Sequence, residues 1–380
     1  MKTLIRGGRV MDPANRVDAV LNILIEDGKI AGFGEMRKMS VPEGCEVIDA
    51  GNQFVGPGLI DIHCHCGGRD YFYENPVGAA RHHMMAGTTT IMPALYFSAN
   101  AETLIEQMES IRSRMAESKI IAGLYMEAPY MNPKFGCDRE SNPWRGPIAR
   151  EDYMPVLEAG KDLVRVYVVA PERENIEMFV RDAKAMNPNV AFSVGHSEAA
   201  PEDIEALMPY GLRLGTHHTN ATGNREKYPE VRGVCVDETV NYNSDIFAEL
   251  ICDRRGIHVD PYMLRLVRKI KGDERIILIS DTYYAEGPIP PGYDGVTDIN
   301  FDFTGEIAGS KLTLNQACRN MMIHTGASIV DVFRFASTNP ARAVGFCDRG
   351  EIAVGKRADL VITDYNMEIK TVIVEGEIQE

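Results

Sequence analysis

The sequence predicts an α/β protein, a (β/α)8 TIM-like barrel with a small β-sandwich domain built from both termini. Three observations support this prediction. Short β-rich runs alternate with helical stretches in the middle of the chain, polar residues that can bind metals follow several of these runs, and strand-like segments occur at both ends. A length of 380 residues suits one large barrel with an appendage.

Strand-like segments at the two ends predict the small domain. Near the N-terminus two apolar runs meet across Asp27-Gly28, which is a strong hairpin signal. Residues 358–374 hold a second pair of strand-like runs around a polar turn. Neither end has enough apolar surface to be a domain alone. We therefore expect one small β domain from residues 1–55 plus 344–380, and a barrel from residues 56–343.

The middle of the chain predicts a parallel sheet, because its β-rich runs are followed by helical stretches. The predicted strands cover residues 88–92, 120–126, 164–169, 190–194, 212–215 and 275–280, and the predicted helices include 101–118, 176–186 and 262–271. A doubly wound sheet is the alternative, but such a sheet collects ligands near one switch point. Here metal-capable residues follow at least five runs. This favours a closed barrel, whose active site lies at the carboxyl ends of its strands.

The first of these runs, residues 57–62, leads into two histidines one residue apart. Side chains at positions i and i+2 of a strand point to the same face, so His63 and His65 project together while Cys64 points away. Two neighbouring imidazoles suit a metal ion. Taken alone the pair is weak evidence, because packed or surface histidines are the common alternative.

Three more residues with ligand chemistry close apolar runs further along the chain: Glu127, His196 and His217. With His63 and His65 they can converge on one barrel mouth. Imidazole and carboxylate together favour zinc, although iron, manganese and cobalt stay open because spacing does not select among them. Five protein ligands exceed what one catalytic ion needs. The count therefore suggests two neighbouring divalent ions with Glu127 between them, although one ion per chain stays open.

Each of these residues also has an alternative role. Glu127 can be an exposed strand end, and His196 can cap the helix that follows it. His218 competes with its neighbour His217, since only the strand register separates the two. Five coincidences of position are less expected than any one of them, so the metal site is favoured.

Asp281 follows another apolar run and so lies at a further strand end, where an unpaired carboxylate is costly. A helix cap or a salt bridge is its alternative role. Beside a divalent ion, which lowers the pKa of a water towards neutrality, Asp281 can take the proton of that water and deliver it to the leaving group. Amide hydrolysis needs both transfers, because an amine leaves poorly unless it is protonated.

Composition excludes several classes of function. The net charge is −15, and no basic block offsets it, which argues against a nucleic-acid or anionic-membrane partner. An anionic small molecule in a locally basic pocket stays open. The eight cysteines form no C-x-x-C pair, which indicates a reducing compartment. The first residues turn polar too early for a signal peptide, and no apolar run approaches a membrane span. We expect a cytoplasmic protein.

With these residues in view, the chain resembles the amidohydrolase superfamily, and within it the N-acetylglucosamine-6-phosphate deacetylases, over nearly its whole length. The segments that carry the resemblance are Gly58–His65, Glu127–Pro133, Gly195-His196-Ser197, Thr216–Ala221, Gly256–Val259, Ser280-Asp281 and Ile307–Thr313. The Thr216–Ala221 segment matches the family's T-H-x-x-N-A motif, which favours His217 over His218 as the ligand.

The resemblance implies roles for particular residues. The five ligands and Asp281 carry over to the positions proposed above. The substrate-binding residues implied by the family are Asn220 and Ala221 near a phosphate, His258 near the sugar or the scissile carbonyl, and Ile307, Ala308 and Gly309 in a loop beside the substrate. The family also uses an arginine for the phosphate, often from the neighbouring subunit of a homodimer. Arg225 is the best match, and Arg232 is its rival.

Three departures from the family pattern affect substrate recognition: Asp138 lies in a segment where the family has a histidine, Arg254 and Arg255 separate Asp253 from Gly256, and Thr222 replaces a methionine. None of them changes the predicted metal ligands. The sequence therefore predicts metal-dependent hydrolysis of an N-acyl bond, with an N-acetyl amino sugar phosphate as the expected substrate. A relative acting on another N-acyl compound, a deaminase or cyclic-amide hydrolase on the same scaffold, and a catalytically silent assembly scaffold are the alternatives.

Overall fold

The computed structural model describes residues 2–35 and 43–379. The N-terminal segment forms β1 (Lys2–Asp12), β2 (Val17–Glu26), β3 (Lys29–Gly34), β4 (Glu46–Asp49) and β5 (Phe54–Pro57). The next part of the chain forms β6 (Leu59–Cys64), β7 (Cys66–Gly67), β8 (Asp70–Tyr71), α1 (Pro76–Met85), β9 (Thr88–Tyr96), α2 (Ala101–Ser118), β10 (Leu124–Glu127), α3 (Arg150–Gly160), β11 (Val164–Val169), α4 (Ile176–Met186), β12 (Ala191–Val194), α5 (Pro201–Leu207) and β13 (Leu212–Gly215).

The remaining part begins with β14 (Glu226–Tyr228), β15 (Val231–Arg232), α6 (Val236–Tyr242), β16 (Phe247–Ile251), α7 (Pro261–Lys271), β17 (Ile276–Ile279), β18 (Ile299–Phe301) and β19 (Ile307–Ser310). It ends with α8 (Leu314–Thr325), α9 (Ile329–Phe333), α10 (Asn339–Val344), β20 (Leu360–Thr363), β21 (Ile369–Val374) and β22 (Glu377–Gln379). The 3₁₀ turns are Arg139–Ser141, Pro143–Arg145, Met208–Tyr210 and Asp273–Arg275, and a π-helical segment, Arg334–Thr338, joins α9 to α10.

Within the described residues, eight parallel strands form the barrel, in the order β6, β9, β10, β11, β12, β13, β16 and β17. The last strand returns to the first. The Asp281 N–H donates to the His63 carbonyl at 2.9 Å, and the His65 N–H donates to the Thr282 carbonyl at 2.8 Å. The barrel prediction is confirmed, and the doubly wound alternative is wrong.

Burial explains the sequence pattern of the barrel. Parallel strands with helices outside and packed side chains inside are buried on both faces, so they read as continuous apolar runs. All four residues of β17 are buried. The helices around the barrel bury one stripe only, as α4 shows with Ile176, Phe179, Val180 and Ala183 at helical spacing. This spacing is why the helix could be predicted with the bounds that the structure has.

Strands from both ends of the chain share one sheet, in the order β22, β21, β20, β5, β1, β2 and β3, with β4 also paired to β1. The predicted Asp27-Gly28 hairpin joins β2 to β3, and both turn residues have positive φ, at 50° and 75°. Gly8 in β1 has no room for a side chain, because a Cβ there would overlap Val55. The domain boundaries at residues 55/56 and 343/344 stay a prediction.

The sequence placed several elements inaccurately. The strand predicted at residues 120–126 begins only at Leu124. The seventh barrel strand, β16, was not predicted, because Glu249 interrupts its apolar run. As for membranes, no helix in the described ranges combines the length and apolar character needed to cross a bilayer.

Candidate active site

The five residues predicted as metal ligands lie together at the carboxyl ends of four barrel strands. They are His63 in β6, His65 just after β6, Glu127 at the end of β10, His196 two residues after β12, and His217 two residues after β13. All five are buried, with at most 5% of their surface exposed. Residues distant in sequence therefore converge on one mouth.

The Glu127 carboxylate divides these residues into two groups. Its Oε2 lies 3.4 Å from His63 Nε2 and 3.1 Å from His65 Nε2. Its Oε1 lies 2.9 Å from His196 Nε2 and 3.1 Å from His217 Nε2. We call His63, His65 and Glu127 the first triad, and Glu127, His196 and His217 the second triad. In each triad the ligand atoms all lie within 4.8 Å of one another.

The chemistry of the two triads fits divalent cations. His63 Nε2 is buried without a hydrogen-bond partner among the described residues. His196 Nε2 and His217 Nε2 lie 2.9 Å apart, an arrangement in which both nitrogens can present lone pairs to one ion. Imidazole nitrogens with one carboxylate oxygen are the usual ligands of zinc and its neighbours.

The electrostatics of the first triad also favour positive charge. Burial by itself lowers the pKa of His63, but the Glu127 and Asp281 carboxylates raise it well above its usual value. Burial raises the pKa of Glu127, whereas the surrounding histidines bring it well below its usual value. The carboxylates thus remain ionised in a buried pocket, where a cation stabilises them.

Asp281 lies beside the first triad, two residues after β17. Its Oδ1 is 3.6 Å from His63 Nε2 and 3.4 Å from His65 Nε2. Burial opposes ionisation, but His63 and His65 lower the pKa of Asp281 below its usual value. An ionised carboxylate at this place can accept a proton from a water in the mouth.

Three of these residues have an unusual backbone. His196, His217 and Asp281 have φ values of +47°, +29° and +46°, in the left-handed region. Each follows a barrel strand closely, so the turn directs its side chain into the mouth. Such conformations cost about 1 kcal/mol or more per residue, and they occur in turns and cluster at functional sites.

A cavity of about 430 Å³ opens above the triads. Of the seven predicted substrate-binding residues, six line this cavity, and Arg225 does not. The six are Asn220, Ala221, His258, Ile307, Ala308 and Gly309. Arg225 lies just before β14, and Arg232 lies in β15. Both are exposed, and neither lines the cavity. The Arg232 guanidinium pairs with Glu238.

Comparison with known proteins shows the family to which this chain belongs. The sequence profile of the Amidohydrolase family matches residues 54–378. The chain belongs to the amidohydrolase family. The predicted resemblance and the prediction of a metal-dependent amidohydrolase are confirmed.

Two relatives of this amidohydrolase align over most of their length. The N-acetylglucosamine-6-phosphate deacetylase of Bacillus subtilis (strain 168) is 28% identical over 376 residues, which cover 93% of this chain and 91% of that protein. The N-acetylgalactosamine-6-phosphate deacetylase of Escherichia coli O157:H7 is 28% identical, with 93% of each chain covered.

Solved structures share the fold of the amidohydrolase. The N-acetylglucosamine-6-phosphate deacetylase of Pasteurella multocida superposes with a TM-score of 0.85 at 22% identity and full coverage of both chains. A mutant of the Mycobacterium smegmatis enzyme, solved in complex with N-acetyl-D-glucosamine-6-phosphate, has a TM-score of 0.83 at 25% identity and 99% coverage of both chains.

Arg254 and Arg255, which separate Asp253 from Gly256, do not prevent Asp253 from contacting His258 in this amidohydrolase. The Asp253 carboxylate accepts hydrogen bonds from the N–H groups of Arg255, Ile257 and His258 at 3.0, 2.9 and 2.9 Å. It also lies 3.6 Å from His258 Nδ1. Burial opposes the shift, but His258 and these amides lower the pKa of Asp253 to about 2. The two additional arginines lengthen the loop without removing this carboxylate.

Sequence reasoning missed Glu249 in β16. Its Oε2 lies 3.4 Å from His63 Nδ1, and the Tyr125 hydroxyl donates to both of its oxygens at 3.1 Å. The Tyr125 ring stacks on the His63 ring with centroids 4.3 Å apart. A carboxylate at Nδ1 fixes the tautomer of His63 and leaves Nε2 free to bind a metal. The only available signal was an acidic residue inside an apolar run.

Further lining residues of the cavity were also missed, among them Tyr96, Lys134, Arg139, Tyr283 and Glu306. Two of them are aromatic, and the ring centroids of Tyr96 and Tyr283 lie 5.7 and 5.8 Å from that of His65. The charged residues lie on loops, where a charge in the sequence usually marks a solvated surface. No sequence pattern therefore marks these charged residues as part of a site.

Proposed function

We propose that this amidohydrolase deacetylates N-acetylglucosamine 6-phosphate, yielding glucosamine 6-phosphate and acetate. The observation that carries the proposal is the Glu127 carboxylate shared between two histidine pairs, with Asp281 beside one of them. Relatives that align over most of the chain bear the name of this activity. The cavity above the triads contains the polar residues Asn220 and His258, which suit a hydroxylated, charged substrate.

We propose zinc as the ion, and each triad would hold one ion, with Oε2 of Glu127 available to the first triad and Oε1 to the second. The ligands would be His63 and His65 on one side and His196 and His217 on the other. A divalent ion supplies Lewis acidity for the acyl oxygen and lowers the pKa of a water towards neutrality. Iron, manganese and cobalt share this chemistry, so elemental analysis has to distinguish them.

The chain's own residues would manage the proton and the geometry. Asp281 would take the proton of the attacking water and pass it to the amide nitrogen, so that the amine leaves in neutral form. His258 is buried, its Nδ1 faces the Asp253 carboxylate at 3.6 Å, and its Nε2 has no hydrogen-bond partner among the described residues. A ring nitrogen of His258 is thus available to hydrogen-bond the scissile carbonyl or a sugar hydroxyl.

Phosphate binding would fall to the other end of the cavity. Asn220, the backbone at Ala221 and Lys134 would bind the phosphate, since all three line the cavity, and the Lys134 Nζ pairs with Glu198 at 2.6 Å. A phosphate next to Lys134 would gain a charge-assisted hydrogen bond. Arg225 would add a second cation if it came from the neighbouring subunit of a homodimer, as the family resemblance implies.

Acetate release from a substrate panel tests the proposal. The zinc-loaded protein would be given the 6-phosphates of N-acetylglucosamine and N-acetylgalactosamine, unphosphorylated N-acetylglucosamine, a cyclic ureide and an aminopurine. We expect a kcat/KM for N-acetylglucosamine 6-phosphate about 100-fold above that of the unphosphorylated sugar, since charged hydrogen bonds to phosphate contribute roughly 1.5–3 kcal/mol each.

The Asp281→Asn variant tests the proton transfer, because it keeps the size of the side chain and removes its basicity. Its kcat should fall by about 10²–10⁴-fold with the metal content unchanged. Preferential turnover of the ureide or the aminopurine would contradict the proposed function. Near-normal turnover by the metal-loaded Asp281→Asn variant would contradict the role of Asp281.

A further inference from the structure

A second cavity adjoins the one above the triads. It has a volume of about 760 Å³, within the range of about 300–1,000 Å³ that is usual for small-molecule sites. The two cavities share four lining residues: Cys137, Arg139, Tyr283 and Glu306. No role assigned above uses the second cavity.

The partition between the cavities contains a pair of side chains that can move apart. The Arg139 guanidinium donates to the two carboxylate oxygens of Glu306 at 2.7 and 3.0 Å. Arg139 belongs to the loop after β10, and Glu306 belongs to the β18–β19 hairpin. Both side chains are substantially exposed, at 39% and 47%. An ion pair this exposed contributes little stability, so a ligand that spans both cavities can displace it at small cost.

Aromatic rings and carboxylates dominate the second cavity. The rings are Tyr71, Tyr283, Tyr284 and Phe303. Tyr71 and Tyr283 meet edge to face with centroids 5.6 Å apart, and the Tyr71 hydroxyl donates to the Tyr284 carbonyl at 2.6 Å. Phe303 is 79% exposed, so its ring face is available for contact.

The acidic lining residues are Asp138, Glu140, Glu286, Asp302 and Glu306. Among the described residues that line the cavity, these carboxylates face the single guanidinium of Arg139. A negatively charged ligand is therefore disfavoured. A neutral sugar fits, because its C–H faces pack on aromatic rings and its hydroxyls donate to carboxylates.

We propose that the second cavity binds a neutral sugar unit attached to the anomeric oxygen of the phosphorylated N-acetylhexosamine. This inference rests on the proposed function. In a pyranose ring C2, which carries the acetamido group, and C5, which carries the phosphorylated C6, lie on opposite sides, and C1 adjoins C2. Tyr283 lines both cavities and lies near His65, whereas Asn220 lines only the first. A substituent at C1 therefore leaves the ring on the acetamido side, which is the side of His65 and Tyr283, and the second cavity lies within its reach.

The reaction on such a glycoside would remain amide hydrolysis. Water adds across the C–N bond, the acyl carbon leaves as acetate, and the nitrogen becomes the free amine. The glycosidic bond stays intact. The enzyme would thus act on 6-phosphorylated disaccharides as well as on the free sugar phosphate.

Competing substrates test the inference. The zinc-loaded protein would be given N-acetylglucosamine 6-phosphate and the β-1,4-linked disaccharide whose non-reducing unit carries the 6-phosphate, with mass spectrometry locating the lost acetyl group. We expect kcat/KM for the disaccharide to be at least equal to that of the free sugar phosphate. In Phe303→Ala and in Glu286→Gln the ratio of the two kcat/KM values should fall at least fivefold.

Tyr365→Ala is the matched control, because it removes an exposed ring from the turn between β20 and β21, in the sheet formed by both termini. It should leave the ratio unchanged. Turnover of the free sugar phosphate with a disaccharide more than 100-fold poorer, or a ratio insensitive to Phe303→Ala and Glu286→Gln, would overturn the inference while the proposed function stands. No turnover of either compound by the metal-loaded protein would overturn both.

Discussion

Glu249 illustrates how single residues define this site. A buried carboxylate is costly unless its oxygens are used, and here they meet the Tyr125 hydroxyl and His63 Nδ1. Glu249 is a positioning residue, since it acts on a predicted ligand from the side opposite to Glu127.

Replacing Glu249 tests that role. Glu249→Gln keeps the shape and can still accept the Tyr125 hydroxyl, but it removes the charge that orients His63. We expect metal affinity to fall by about 10–100-fold, as for other groups that hold a metal-binding histidine. Competition with a chromophoric chelator measures this change.

The melting temperature of the metal-free variant is the control for a merely structural role. It should stay close to the wild-type value, because the glutamine side chain still accepts the Tyr125 hydroxyl and the Glu127 carboxylate still offsets the charge of His63. Unchanged metal affinity, or a loss of stability in the metal-free form that accounts for the weaker binding, would contradict a positioning role.

At the residue scale, the members of the two triads could be selected from the sequence because each closes an apolar run. Position after a run is visible in the sequence, whereas the partner across the barrel is not. Glu249 could not be selected, since the pairing of β16 with its neighbours is what brings it to His63. Lys134 and Arg139 were missed for a similar reason, because loop conformation alone carries them to the cavity.

At the element scale, the β18–β19 hairpin is fixed to the end of β17, where Asp281 lies. The Ser310 N–H donates to the Asp281 carbonyl at 2.7 Å, and the Tyr283 N–H donates to the Ser310 carbonyl at 3.0 Å. Gly309 lies against this contact with φ +59°, and a Cβ there would come within 2.5 Å of the Asp281 oxygen and 2.8 Å of Tyr283 Cβ. The hairpin can approach Asp281 only because this residue is glycine.

Gly309→Ala should therefore displace the backbone at Asp281. We expect kcat/KM to fall at least tenfold, because small displacements of reacting groups have large effects on rate. Gly305→Ala in the same hairpin is the matched control, with φ +85° and its nearest contact, Pro290, at 3.5 Å.

Both substitutions cost about 1 kcal/mol for the left-handed backbone, so their difference isolates the steric effect. Urea unfolding measures the loss of stability in each variant, and steady-state kinetics measures the change in kcat/KM. Equal losses in the two variants would contradict the account of Gly309.

Elements were predicted unevenly. The helices α2 and α4 have the bounds that the sequence predicted, and α7 begins only one residue earlier, at Pro261. Each carries a clear apolar stripe. The hairpins β7–β8 and β18–β19 were not predicted, since strands of two to four residues show no reliable alternation. These hairpins supply Tyr71 and Phe303 to the second cavity.

At the scale of the whole molecule, the barrel and the sheet formed by both termini are joined through buried and surface contacts. Ser337 Oγ donates to the Gly58 carbonyl at 2.6 Å, at the junction between β5 and β6. Lys119 at the end of α2 pairs with Glu377 of β22 at 2.7 Å. The path from the terminal sheet into the first barrel strand, which carries His63, is therefore fixed at its start.

The fold class followed from length and from the alternation of β-rich and helical runs. Closure of the barrel was predicted from the metal-capable residues that follow at least five runs, whereas the backbone hydrogen bonds that close it, between residues near His63 and residues near Asp281, have no local sequence pattern. The homodimer and the cytoplasmic location stay predictions, since both concern surroundings that one chain does not contain.

The most direct test of the central claim is the number of ions bound per chain, measured by elemental mass spectrometry on zinc-loaded protein whose fold is checked by circular dichroism. Two triads that share one carboxylate predict two ions in the wild type, one in His65→Ala, one in His217→Ala, and fewer than one in Glu127→Ala. The same number of ions in all four folded proteins would contradict the shared-carboxylate site.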